Sequence, residues 1–145
     1  SRIFERVIVA VARDTRKQVL FDLPTRMKMV QESVRHLHNV EVDAFEGLLV
    51  DYARRRGCRV LLRGLRAFSD FEFEFQMTLT NRRLAPQIET LFLMPDEDYS
   101  YVSSSAVREI ASLGGSAAKF VPPPVQKVLK ARFKGSRPQR KRKTP

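Results

Sequence analysis

The sequence predicts an α/β domain with a mostly parallel sheet and helices on both faces. Three observations carry this. Short apolar runs rich in β-branched residues alternate with stretches of helical periodicity along most of the chain. Most of those runs are apolar on both faces, as buried parallel strands are. The length, 145 residues, suits a single core.

Val7–Ala12 is a continuous apolar run and reads as a buried strand. A polar loop, residues 13–17, follows it. Residues 23–37 read as a helix, with Pro24 in the first turn and Met27, Val30 and Val34 at helical spacing. Val40–Phe45 is short and alternating, a second strand. Gly47 precedes a helix over residues 48–56 that stops at Gly57. Residues 59–63 and 89–94 form the third and fourth strands. Residues 103–113 form a helix ended by Gly114 and Gly115, and residues 122–133 a last helix that starts on prolines. There is no internal repeat.

One segment reads two ways. Phe71-Glu-Phe-Glu-Phe75 alternates strictly, and Met77 and Leu79 extend the alternation, which is a strand pattern. Phe68, Phe71, Phe75 and Leu79 also share one helical face, and the run continues to Arg83. That length favours a helix, which would also supply the crossover a parallel fourth strand requires. Glu74 and Asn81 lie on this segment and can face either way. At the start of the chain, Ile3 and Phe4 read as the end of a helix, so the chain is expected to begin inside an element.

Hydrophobic residues make up 43% and charged residues 30%, the balance of a globular protein. No apolar run approaches the roughly 20 residues of a membrane-spanning helix, and no N-terminal segment reads as a secretory signal. Cys58 is the one cysteine. It reads as a small buried hydrophobe in a reduced, cytoplasmic setting rather than a reactive thiol. The net charge is +11, and six of those charges lie in residues 134–145, which hold no acid. That tail reads as a disordered extension able to touch nucleic acid non-specifically. The remaining body, at +5, suits an anionic substrate.

Ligands of open α/β sheets bind at the carboxyl ends of the strands, and two motifs fall there. Arg63-Gly64-Leu65-Arg66 sits where the third strand ends. Two arginines three apart can both address a multiply charged anion, because a guanidinium offers forked donors to two oxygens. Gly64 allows close backbone approach to a ligand. Tyr99-Ser100-Tyr101-Val102-Ser103-Ser104-Ser105 runs into a helix, whose first N–H groups and dipole favour an anion. Plain surface arginines and a single capping serine are the competing readings. Lys17, beside Arg16 in the first loop, reads alone as a solvated charge. His36 and His38 read as surface residues on the opposite edge. No histidine–carboxylate set has metal-ligand spacing, so no protein-held metal is expected.

The run from Arg63 to Gln76, RGLRAFSDFEFEFQ, resembles the most distinctive stretch of bacterial phosphopantetheine adenylyltransferases, and YSYVSSS over residues 99–105 resembles that family's triple-serine motif. Thr25-Arg26, residues 39–42, residues 48–53 and residues 91–95 fit in order and spacing. The resemblance covers most of the chain from Ile3 to about Lys130. It implies a Rossmann-like nucleotidyltransferase fold in which the aromatic segment is helical. It implies transfer of the adenylyl group of ATP to 4′-phosphopantetheine, giving dephospho-coenzyme A and pyrophosphate. Mg2+ carried by the nucleotide, coenzyme A as a further ligand and a hexameric assembly are implied as well.

By the same resemblance Lys17, Arg63 and Arg66 are the expected catalytic residues. Lys17 and Arg63 would hold the acceptor phosphate and Leu49 would line the pantetheine arm. Gly64, Leu65, Arg66 and Glu74 would contact ATP, and Tyr99, Ser100, Tyr101, Val102, Ser103, Ser104 and Ser105 would cradle its adenine side and its β and γ phosphates. Phe73 stands where many members have tyrosine. The family's first strand, central to its sheet, and its Gly-His loop have no counterpart here. The resemblance makes the histidine of that loop the residue that stabilises the α phosphate, so the sequence is expected to be part of a longer enzyme, the other reading being a truncated and inactive product; residues 1–133 are the adenylyltransferase domain and 134–145 the tail. Two other readings are a nucleotidyltransferase for another phosphate monoester, such as nicotinamide mononucleotide, and a non-catalytic nucleic-acid-binding domain. The second predicts aromatics interleaved with basic residues. Here the phenylalanines interleave with glutamates.

Overall fold

The computed structural model describes residues 1–14 and 18–134, with Ser69 through its backbone alone. Lys17 and the basic tail beyond Lys134 lie outside the described residues. The chain divides into two units, Ser1–Tyr101 and Val102–Pro145.

In the first unit, β1 (Val7–Ala12) pairs in parallel with β2 (Val40–Phe45), Val7 opposite Val40 and Ala12 opposite Phe45. The crossover between them is α1 (Leu23–Val34). Asp22 caps α1 by accepting the Thr25 amide at 3.0 Å, and that hydrogen bond holds the Asp22 carboxyl below the usual carboxylate range. Next come α2 (Leu49–Arg55) and β3 (Val60–Gly64). The turn between them uses Gly57 at φ +67°, a conformation that costs other residues a Cβ clash. β3 pairs in parallel with β4 (Glu89–Leu93) through the crossover α3 (Phe68–Leu84). A short helix, α4 (Glu97–Ser100), follows.

The strands are parallel, as expected, but they form two pairs, β1–β2 and β3–β4, rather than one continuous sheet. The inner edges, β1 and β3, border a groove of about 600 Å3. Val7–Ala10 form one wall, Val60–Arg63 the other, and Leu49, Tyr52 and Ala53 of α2 also line it. The parting explains why β1, apolar throughout, is only half-buried along its length.

A second expectation fails at the N-terminus. Ile3 and Phe4 are not helical. The Asn39 side-chain amide donates to the carbonyls of Ser1 and Phe4, both at 2.8 Å, and Arg6 pairs with Glu41 at 2.5 Å. The lead-in to β1 is therefore held as irregular chain by side chains of the β2 region, which satisfy carbonyls that a helix would satisfy internally.

The core of this unit is Val50 and Ala53 of α2, Leu61 of β3, and Ala85 and Ile88 between α3 and β4, with Leu49 and Cys58 packed against it. It seats α2 on the β3–β4 pair and so fixes the carboxyl end of β3. Cys58 is half-buried there, as its reading as a small hydrophobe predicts.

The aromatic segment is helical, as its length and the resemblance indicated, yet its sidedness is inverted. Its least exposed described side chains, Asp70, Glu74, Thr78 and Asn81, lie three or four residues apart on one face. Glu74 is 8% exposed, whereas Phe68 is 98% exposed and Phe71, Phe73 and Phe75 are also exposed. Phe71 and Phe75 stack on the outside with ring centroids 5.6 Å apart.

In the second unit, α5 (Ser104–Ser112) and α6 (Pro123–Arg132) bury Val107, Ala111 and Leu129. Gly115 donates its amide to the Ile110 carbonyl at 2.8 Å and closes α5 where Gly114 and Gly115 predicted the stop. Among the described residues, no helix is long and apolar enough to cross a membrane.

Candidate active site

Arg63 is the penultimate residue of β3, and Glu74 lies one turn and a half into α3. The crossover brings them together. Arg63 Nε donates to Glu74 Oε2 at 2.8 Å and Nη2 donates to Oε1 at 2.5 Å, a side-on fork that keeps two parallel bonds. The Glu74 side chain is 11% exposed and that of Arg63 42%, so the carboxylate is inside and the guanidinium reaches the surface. The hydrogen bond that Arg63 donates to Glu74 raises the Arg63 pKa above its already high ordinary value, and Arg63 stays charged under all working conditions.

Arg66, three residues on, has the same kind of partner. Its Nε donates to Asp70 Oδ2 at 3.0 Å and its Nη2 to Oδ1 at 3.2 Å. Each arginine of the motif is thus oriented by a carboxylate from the first two turns of α3. The sequence reading found both arginines and Glu74 but missed Asp70. Arg66 precedes α3 and Asp70 lies in its first turn, four residues on, so the pair forms across the start of the helix.

Gly64 ends β3 with ordinary backbone angles. A Cβ placed there meets nothing nearer than the Leu93 carbonyl at 4.0 Å. Neither packing nor φ demands glycine at this position. Leu65 follows with its amide donating to the Leu93 carbonyl at 3.1 Å, which extends the β3–β4 ladder by one bond. Leu49, the first residue of α2, packs against the core and lines the same groove as Arg63. Two of the three expected acceptor residues therefore share one surface. Lys17, the third, is outside the described residues.

Arg26 also belongs to this edge, although the sequence reading gave it no role. From the first turns of α1 it donates through Nη1 to the Ala12 carbonyl at 2.9 Å, and so ties down the carboxyl end of β1, where the loop carrying Lys17 departs. Farther along the groove, the Tyr52 hydroxyl donates to Asp43 Oδ2 at 2.8 Å. Burial and this bond push the hydroxyl up to about 12, so Tyr52 remains a neutral donor. Arg56 joins Glu41 and Asp43 in the same cluster.

The serine motif spans the boundary between the units. In the first, Tyr99 and Ser100 close α4 and Tyr101 follows; both tyrosines are exposed. In the second, Val102 leads to Ser103, which caps α5 by accepting the Ala106 amide on Oγ at 3.1 Å. Ser104 and Ser105 occupy the exposed first turn, where their N–H groups lie outside the helical ladder. One serine caps the helix, as the capping reading expects, and Ser104 and Ser105 stay exposed. His36 and His38 are exposed, as expected, and among the described residues no three His, Cys, Asp or Glu side chains gather as a metal-ligand set.

A family model described as cytidylyltransferase-like matches residues 1–110. The phosphopantetheine adenylyltransferase of Methylococcus capsulatus (strain Bath) is 54% identical over 136 residues, 94% of this chain and 84% of that protein. This chain belongs to the phosphopantetheine adenylyltransferase family. The enzymes of the same name from Desulforudis audaxviator and Gloeobacter violaceus are 49% and 53% identical, over 92% and 94% of this chain and 82% and 84% of theirs. Family membership makes the chain a nucleotidyltransferase on a Rossmann-like fold.

Proposed function

We propose that this chain transfers the adenylyl group of ATP to 4′-phosphopantetheine, releasing pyrophosphate and forming dephospho-coenzyme A. The observation that carries the reading is the pair of oriented guanidinium forks at the end of β3, beside a groove that Leu49 lines, in a chain about half identical to enzymes of that name. Arg63, with Lys17, holds the acceptor phosphate. Gly64, Leu65, Arg66 and Glu74 contact ATP, and Tyr99–Ser105 cradle its adenine side and its β and γ phosphates. An oxygen of the acceptor phosphate bonds to the α phosphorus as the bond to the bridging β oxygen breaks, and the electron pair leaves with pyrophosphate. Both partners are anions, so the protein's part is to hold them in line and offset their charge.

Mg2+, carried by the nucleotide, would offset the charge of the leaving pyrophosphate. The exposed apolar side of α3 suits burial against further copies of the chain, in keeping with a homo-oligomer, a hexamer in our reading. Dephospho-coenzyme A and coenzyme A are its further ligands in this reading. The setting is cytoplasmic, and any contact with nucleic acid is non-specific and belongs to the tail.

Incubation with MgATP and 4′-phosphopantetheine is expected to yield dephospho-coenzyme A and pyrophosphate by mass spectrometry. Turnover of nicotinamide mononucleotide in place of phosphopantetheine overturns the reading. Gly64→Ala tests the close approach at β3. Its melting temperature is expected to match the parent, since the new methyl has room, while calorimetry shows ATP binding weakened about tenfold.

A further inference from the structure

We infer that Tyr52 is a positioning residue for the acceptor side: through its hydrogen bond to Asp43 it sets where α2, and with it Leu49, stands between the two half-sheets. The inference rests on the function proposed above, in which Leu49 lines the pantetheine arm. α2 has seven residues, too few for a helix to hold its own place, so its neighbours decide it. It has two packed sides. Val50 and Ala53 lie in the cluster with Leu61, Ala85 and Ile88 of the β3–β4 half. Tyr52 and Arg56, one turn apart, reach acids of β2 in the other half. No strand ladder joins β1 to β3 among the described residues, so α2 is a bridge across the parting.

The two sides hold the helix in different ways. Apolar burial is non-directional and leaves α2 free to roll on Leu61 and Ile88. A hydrogen bond prefers one length and one angle. The Tyr52 hydroxyl donates to Asp43 Oδ2 at 2.8 Å, and Asp43 Oδ1 accepts the Ala44 amide at 2.8 Å. The carboxylate is therefore already oriented by its own strand where the tyrosine meets it. The Tyr52 ring lies against Phe45 with centroids 5.3 Å apart, and the residue is 6% exposed. Arg56 adds pairs with Glu41 and Asp43, but these acids and Arg56 are only half-buried, so water screens them. The buried hydroxyl is the contact that fixes the rotation of α2. Leu49, three residues before Tyr52, packs on the core and lines the same groove as Arg63. A roll of α2 thus changes the spacing of Leu49 and Arg63, whereas Arg66 on the ATP side is held by Asp70 of α3.

Steady-state kinetics on Tyr52→Phe test this, because the variant keeps the ring on Phe45 and removes only the hydroxyl. KM for phosphopantetheine is expected to rise about fivefold, the scale of one net hydrogen bond. Both kcat and KM for ATP are expected to stay within about twofold of the parent. Asp43→Leu should repeat the rise. Asp43→Asn should escape it, since an amide still bonds the hydroxyl by donating to it. An unmoved KM for phosphopantetheine in Tyr52→Phe overturns the inference. So does an equal rise in KM for ATP, or a loss in Asp43→Asn as large as in Asp43→Leu; that comparison holds even if Tyr52→Phe does not fold. A parent that turns over no phosphopantetheine fails the functional reading, and the placement of α2 is then read without substrate. In NMR spectra of the ligand-free protein, the Leu49 methyl resonances are expected to shift between the parent and Tyr52→Phe while those of Ile88 hold. Leu49 methyls that do not move overturn the inference whatever the kinetics give.

Discussion

Replacing Ile88 by alanine is expected to lower the stability of the first unit by about 3 kcal/mol, the middle of the range for removing a buried aliphatic side chain. Ile88 is 3% exposed and belongs to the cluster of Val50, Ala53, Leu61 and Ala85. Its neighbours come from α2, β3 and the end of α3, three elements that meet only there. Small neighbours such as Ala53 and Ala85 have no flexible side chain to swing into the space, so the cavity term should persist. A urea titration should show the midpoint falling with little change in slope. The loss reaches the active edge as well, because the same cluster seats β3, and β3 carries Arg63 at its end.

Arg63→Ala is expected to act twice. Phosphopantetheine affinity falls, and the fold is weakened by about 1–2 kcal/mol because Glu74 is left buried without its partner. Breaking a fully buried pair costs about 3–5 kcal/mol. The smaller figure applies because Arg63 is 42% exposed and water screens its share of the pair. Adding Glu74→Gln to Arg63→Ala should recover part of the stability, since a neutral amide is cheaper to leave unpaired than a carboxylate, while affinity stays low. Thermal melts and calorimetry on the same samples separate the two effects. Recovery of affinity along with stability would argue against Arg63 as the acceptor's ligand.

The order of elements was legible because each strand and helix carries its own period. Val7–Ala12, Val40–Phe45 and the four longer helices fall within three residues of their expected bounds. Which strands pair was not legible. An apolar run says that a strand is covered, but not by which neighbour, so the parting between β1 and β3 had to come from the coordinates. The aromatic segment shows the limit more sharply. Phe-Glu-Phe-Glu-Phe satisfies the strand period and, with Phe68 and Leu79, the helical one, and either choice puts the phenylalanines inside. Neither anticipates a helix that turns Glu74 inward and its aromatics outward. Burial of Glu74 depends on Arg63, eleven residues away and on another element, and local pattern carries no trace of that pairing. Arg63, Gly64, Arg66 and the serines were legible for the opposite reason. Their chemistry is written in residue type and in position at the end of a strand or the start of a helix.

The groove between the half-sheets gives β1 and β3 two unlike sides. The amides of Val7 and Arg13 donate to carbonyls of the β2 side, and that of Leu65 donates to β4. In a parallel ladder the donors alternate, so those of Ile8, Ala10, Leu62 and Gly64 point the other way, into the gap. Deuterium should enter these two strands with a stutter, fast at one residue and slow at the next. Strands from the middle of a folded unit would then carry the exchange signature of a sheet margin.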